Sequence, residues 1–228
     1  KPPDFHTVVP KMVVKEGAKL LAGDEIFYSK YTDEIRFTTP VSGILKEIKR
    51  GDKRRILEVI IEADAEDAYR DFGKLSASKA DVKDVKERIL ESGCGAFIYQ
   101  RPYDIVADPK DTPKAIFISG VTTAPLAADK GFIIKDKVEA FQEGINALKK
   151  LTPGKVHLSV DSSAEYLKNI QGVELHHVKG EHPAGNVGIQ IHKIDPLNRG
   201  ERIWTVGVED VAIIGNVFLT GEFRAERT

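Results

Sequence analysis

Between residues 10 and 64 the apolar side chains come in short runs: KMVVK, EIFYS, EIRFT, GILKEIKR and RRILEVIIEA. These runs are rich in β-branched and aromatic residues, and no helical period fits them. The segments between them, EG, AGD, YTD and RGDK, are turn chemistry. The pattern predicts a small all-β unit.

From about residue 76 the rhythm changes. In SASKADVKDVKERILESG, Val82, Val85, Ile89 and Leu90 fall at helical spacing, with Ser78 as N-cap and Gly93 as the stop. AIFIS (115–119) is a short apolar run suited to a buried strand, and Val138, Phe141, Ile145 and Leu148 mark an amphipathic helix. KVHLSVD reads as a strand, SSAEYLKN as a short capped helix and VELHHVK as another strand. Strands alternating with helices predict a mostly parallel sheet with helices on its faces, a Rossmann-like α/β domain. The stretch from Asp64 to Ser78, acidic and then small and polar, is the natural boundary. The expected organisation is a two-domain α+β chain, with a β domain over 1–70 and the α/β domain over 76–228.

Composition narrows the classes of function. The 228 residues are 41% hydrophobic and 30% charged, with a formal net charge of −1. No strong field is available to gather nucleic acid or anionic lipid. The local cluster Lys49, Arg50, Lys53, Arg54 and Arg55 reads as solvated surface. A single cysteine, Cys94, excludes an internal disulfide framework and any all-cysteine metal cluster, and it fits a reducing compartment. No stretch approaches the roughly 20 apolar residues of a membrane-crossing helix, and no signal peptide is visible. The start at Lys1 and the end in GEFRAERT read as those of a piece of a longer protein.

The chemistry-bearing motifs are few. VKEGAKLLAGDEIF followed by TTPVSGILKEIKRGDK resembles the barrel-sandwich hybrid fold of lipoyl and biotinyl carrier domains, with Pro40 and Gly43 shaping the return. Such carriers present a lysine at a hairpin tip. Here the tip is expected near Tyr31, Thr32 and Asp33, with Lys30 off it, so the unit reads as a structural or docking module. A nucleotide cradle needs glycines so that backbone N–H groups can approach phosphate. Gly93 and Gly95 bracket Cys94, but no third glycine follows at the required spacing, and Arg101 is followed at once by Pro102. Cys94 reads as a buried small hydrophobe. Thr122 and Thr123 read first as helix caps and second as polar groups lining a crevice. His176 and His177 are adjacent on a strand and so point to opposite faces, which argues against a metal site built with His157, His182 and His192.

The densest motif is GEHPAGNVGIQIHK, residues 180–193. Pro183 suits the first turn of a helix. Val187, Ile191 and Ile194 then form a core stripe, with Gly185, Gly188 and His192 on the neighbouring stripe. On a continuous helix His182 and His192 are separated by roughly 15 Å of rise, so they cannot share one ion. The glycines mark a close approach, either of a neighbouring backbone or of a flat ligand.

RPYDIVADP, PKAIFISGVTTAPLAAD, KGEHPAGNVGIQIHKIDPL and IWTVGVEDVAIIGNVFLTGEF, in that order, resemble the A subunit of the Na+-translocating NADH:quinone oxidoreductase, as does the carrier-like N-terminal segment. The resemblance covers nearly the whole chain. It implies a soluble, peripheral subunit on the cytoplasmic side of the bacterial inner membrane, partnered by the other subunits of a respiratory complex that couples electron transfer from NADH to quinone to sodium export. It further implies that the flavins and iron–sulfur centre belong to other subunits and that this chain binds no cofactor. Relatives such as the C subunit of the Rnf complex carry a glycine-rich flavin loop that GCGAFIYQRPYD lacks. Quinone contact is attributed to this subunit in the family. A quinone site needs a flat apolar slot and a donor for the carbonyl oxygens, which makes His182, Gly185, Gly188 and His192 the expected contacts. The alternative is an independent flavin- or NADH-binding oxidoreductase domain.

Overall fold

The computed structural model describes residues 1–161, 167 and 169–227. The strands of the N-terminal unit are β1 (Pro10–Met12), β2 (Lys19–Leu20), β3 (Glu25–Ser29), β4 (Thr32–Thr38), β5 (Gly43–Arg50) and β6 (Ile56–Ala63). They form two antiparallel three-stranded sheets, ordered β1-β3-β4 and β2-β5-β6. Leu20, Ile26, Phe27, Ile35, Phe37 and Leu45 pack into one apolar cluster, with the Phe27 and Phe37 rings stacked at 4.5 Å. Two small sheets closed over one core make the barrel-sandwich hybrid that the carrier-domain resemblance implied. Gly43 is required here, because a side chain would strike the Glu62 carbonyl oxygen across the β5–β6 pair. One expectation is corrected. The β3–β4 turn consists of Lys30 and Tyr31, so Lys30 sits at the hairpin tip. The strand runs two residues further on the Thr32 side than the YTD turn signal suggested, taking in Thr32 and Asp33.

The second unit contains α1 (Val82–Glu91), β7 (Tyr99–Arg101), β8 (Ile105–Val106), β9 (Ala115–Ser119), α2 (Lys130–Ile134) and α3 (Val138–Lys149). It continues with β10 (Val156–Val160), β11 (Glu174–His177), α4 (Val187–Ile194), β12 (Ile203–Gly207) and α5 (Val208–Thr220). The six strands form one mixed sheet in the order β11-β10-β9-β12-β7-β8. The first four are parallel, while β7 and β8 add an antiparallel edge. All five residues of β9 and all five of β10 are buried, as expected of strands covered on both faces. Phe141, Ile145 and Leu148 of α3 join Val211, Ile214, Val217 and Phe218 of α5 in the main core. On the opposite face Ile191 of α4 packs with Ala115, Phe117 and Ile203.

Helix α1 starts later than its sequence signal suggests. Its N-cap is Asp81, whose carboxylate accepts from the Asp84 N–H at 2.8 Å. Ser78 is instead engaged with the Ser76 hydroxyl in the preceding turn, and Val82 is 53% exposed. Gly93 does end the helix region, at a φ of +80° that favours glycine. The helix expected over SSAEYLKN falls on residues 162–169, almost all outside the described residues.

The segment between the units pairs with both of them. Ala22 bridges Tyr69, and Asp71 bridges Glu222. The Ser42 hydroxyl donates to Asp64 at 3.0 Å and accepts from the Ala68 N–H at 3.0 Å. Thr38 donates to the Ser92 carbonyl at 3.0 Å, directly beside Gly93. Ala96 and Val106 complete the apolar cluster of the β unit.

Candidate functional site

Parallel α/β sheets present their ligand crevices at the carboxyl ends of the strands. Here Ser119 ends β9 and Gly207 ends β12, and between them opens a crevice of about 760 Å³. Gly185, Gly188 and Ile189 form one wall, Phe97 and Tyr99 another, and Lys130 and Asp210 reach it from α2 and α5. A separate apolar cavity beside Trp204 holds only about 140 Å³, below the several hundred Å³ of typical small-molecule sites.

The glycine-rich stretch builds its wall in a way the sequence did not predict. The helix does not begin at Pro183. Asn186 is the N-cap, and residues 183–186 are turns, with the Ala184 N–H bonded to Glu181 and that of Asn186 to Pro183. The reason lies in the partners of Gly185. Its N–H donates to the Thr123 hydroxyl at 2.9 Å, and its carbonyl accepts from the Ser119 hydroxyl at 3.2 Å. Side chains of the β9 loop thus take the backbone groups that a helical turn would need. Thr123 therefore holds the Gly185 backbone and is not a cap; Asp129 caps α2, accepting from Gly131 and Phe132.

Gly185 is a true close approach, since an added Cβ would lie 2.7 Å from the Thr123 nitrogen. Gly188 is not, since an added Cβ there meets nothing within 4 Å and would face open crevice. Val187, Ile191 and Ile194 form the core stripe as expected. His182 and His192 are both exposed and neither lines the crevice; His182 Nδ1 lies 3.4 Å from the Thr123 hydroxyl. Of the four residues singled out, the fold brings Gly185 and Gly188 to one cavity and leaves His182 and His192 out of its lining.

Lys130 had no sequence signal beyond following an N-cap aspartate. Its ammonium donates to the Ser119 carbonyl at 3.0 Å, and burial pushes its pKa below the ordinary lysine value. Among the described residues no carboxylate pairs with it. The first N–H groups of α4 and α5, which open on the crevice, lack intrahelical acceptors. The crevice therefore combines the apolar side chains of Phe97, Tyr99, Val187 and Ile189 with the charged Arg101, Asp104, Lys130 and Asp210. Asp210 sits across it, its carboxyl raised by burial against the opposing pull of Arg227.

The remaining candidates resolve by burial. Cys94, Gly95 and Ala96 form a buried 3-10 turn, so their N–H groups are not presented to a phosphate. Burial pushes the Cys94 thiol up to about 12. Native chain at pH 8 is expected to resist iodoacetamide for hours, whereas urea-unfolded chain is alkylated within minutes. Prompt stoichiometric labelling of the folded chain, read by intact mass, would contradict this burial. His157 and His176 do meet, which the strand pattern did not foretell: the β10–β11 register sets them on one face, together with Glu174.

Residues 1–64 match the family described as the NqrA N-terminal barrel-sandwich hybrid domain, and residues 80–223 that described as the NqrA second alpha/beta domain. The chain is similar to the A subunit of the Na(+)-translocating NADH-quinone reductase of Marinomonas sp. (strain MWYL1), with 35% identity over 99% of this chain and 51% of the relative. The corresponding subunit of Cellvibrio japonicus is 34% identical over 98% of this chain and 51% of its own length. That of Alcanivorax borkumensis is 35% identical over the same shares. The chain thus spans about half the length of the curated relatives it matches. With both domains matched in order, and the second match alone covering more than half the chain, it belongs to the NqrA family, that of the A subunit of the Na+-translocating NADH-quinone reductase.

Proposed function

We propose that this chain serves the sodium-pumping NADH:quinone oxidoreductase as a peripheral subunit on the cytoplasmic side of the membrane, and that its crevice receives the quinone headgroup. No helix among the described residues is long and apolar enough to cross a membrane. The observation that carries the quinone reading is Lys130, a half-buried ammonium without a carboxylate partner among the described residues, in a crevice at the sheet's carboxyl ends that Phe97, Tyr99, Val187 and Ile189 help to line. A quinone is a flat apolar ring with two acceptor oxygens, and charged donors to such oxygens contribute about 1.5–3 kcal/mol. The electron-carrying flavins and iron–sulfur centre are assigned to other subunits. The turn at Gly93–Gly95 supports this, because Gly93 packs against Thr38 of the β unit, Gly95 packs against Leu90 of α1, and the turn is buried.

The test uses a short-chain ubiquinone analogue and measures its affinity by quenching of intrinsic fluorescence. Lys130→Met is expected to weaken binding tenfold or more. Gly188→Leu, whose Cβ would meet nothing within 4 Å and whose side chain would project into the crevice, is expected to abolish it. Unaltered affinity in both variants, with unchanged circular dichroism, would place quinone elsewhere. A stoichiometric flavin on the purified chain, visible near 450 nm, would favour the independent oxidoreductase instead.

A further inference from the structure

We propose that His157, Glu174 and His176 form a binding site for one divalent transition-metal ion of the zinc class, at the β11 edge of the sheet. Parallel pairing of β10 with β11 sets His157 opposite Glu174 and Ser159 opposite His176. Residues two apart on a strand share a face, so both imidazoles and the carboxylate project to the same side. His157 Nδ1 lies 2.9 Å from His176 Nε2 and 3.5 Å from Glu174 Oε2. Ligands at about 2.0–2.2 Å from a tetrahedral ion stand about 3.3 Å from one another. The two distances from His157 bracket that spacing, and the ligand atoms of all three residues lie within 4.8 Å of one another.

The donor set has the chemistry for it. Two imidazoles and one carboxylate leave a fourth position open, the arrangement of accessible zinc sites. Lys155 pairs with the other oxygen of Glu174, Oε1, and leaves Oε2 toward the histidines. His157 is 3% exposed and its ring is stacked on Phe117 at 4.4 Å, which fixes one ligand in place. Glu174 and His176 are half-buried on the edge strand, so an ion can enter from solvent. His157 Nε2 has no hydrogen-bond partner among the described residues. Without that supporting hydrogen bond the affinity should fall about 10- to 100-fold short of a fully buttressed site.

The probe is Zn2+ added to the purified 228-residue chain in competition with a chromophoric chelator. One equivalent should bind, and His176→Asn and Glu174→Gln should each weaken it at least tenfold while leaving circular dichroism unchanged. His177→Asn, whose side chain leaves the opposite face, should bind as the parent does. These edge-strand variants carry the test because the buried His157 ring has a packing role of its own. Absence of stoichiometric binding would overturn the proposal and leave the two imidazoles as a hydrogen-bonded pair. So would binding of parental strength in both His176→Asn and Glu174→Gln.

Discussion

Gly215→Ala is expected to destabilise the chain by about 3 kcal/mol, although alanine is the better helix former. Helices α3 and α5 cross where Gly144 faces Gly215. A Cβ at 215 would strike the Ala140 carbonyl oxygen and stand 2.5 Å from the Gly144 nitrogen, and one at 144 would strike the Val211 carbonyl oxygen. All of these are backbone atoms, so no rotamer change relieves the clash and the helices must separate. Separation withdraws Phe141, Ile145, Val211, Ile214 and Phe218 from contact in the main core. Overpacking typically costs about 1–3 kcal/mol, and backbone on both sides puts this case at the upper end, after an offset of up to about 1 kcal/mol from helix propensity. Gly188→Ala provides the contrast, since it lies in α4 with nothing within 4 Å of the added methyl and should be neutral or slightly stabilising. Urea unfolding of the two variants decides the matter. Equal midpoints would mean that α3 and α5 are not held at the separation described.

These two glycines show where sequence reading stops. Strands β9 and β10 were legible because five consecutive residues in AIFIS are buried and the flanking turn signals bound the runs. The α3 stripe was legible because Phe141, Ile145 and Leu148 recur at the helical period. That the N-terminal unit is all β followed from short β-branched runs separated by turn residues. What a glycine touches, however, depends on a second element. Gly144 and Gly215 are 71 residues apart, and no local pattern records that they meet. The start of α4 was missed for the same reason, since Thr123 and Ser119 capture the backbone of Gly185 from 62 and 66 residues away. Of the crevice, Gly185 and Gly188 were readable from their spacing. Lys130 was not, because its significance is a missing partner in three dimensions. The His157–His176 contact required the register of two strands, and a one-residue slip would have turned His177 inward instead.

Phe117→Ala is expected to cost about 3–5 kcal/mol, the usual loss for a fully buried phenylalanine. Phe117 is 1% exposed at the middle of β9, and it packs with Ala115, Ile191 and Ile203 on the face that α4 covers. That cluster is small: its other members are the partly buried Val187, Ile194 and Leu197. The main core on the opposite face is far larger and does not include Phe117. Removing the ring therefore takes away the chief anchor of α4 while leaving the α3–α5 layer intact. Amide exchange in residues 187–194 should accelerate more than in 138–149, beyond the drop in global stability. Because α4 forms a wall of the crevice through Gly188 and Ile189, quinone-analogue affinity should fall with it. Phe117→Leu keeps most of the volume and should cost less than about 1.5 kcal/mol. A loss below about 1 kcal/mol for Phe117→Ala, or uniform acceleration in both helices, would show that α4 is held by contacts other than this ring. The same substitution removes the surface against which His157 is stacked. Zn2+ affinity should then weaken in Phe117→Ala and persist in Phe117→Leu, which separates a loosened ligand from a lost one.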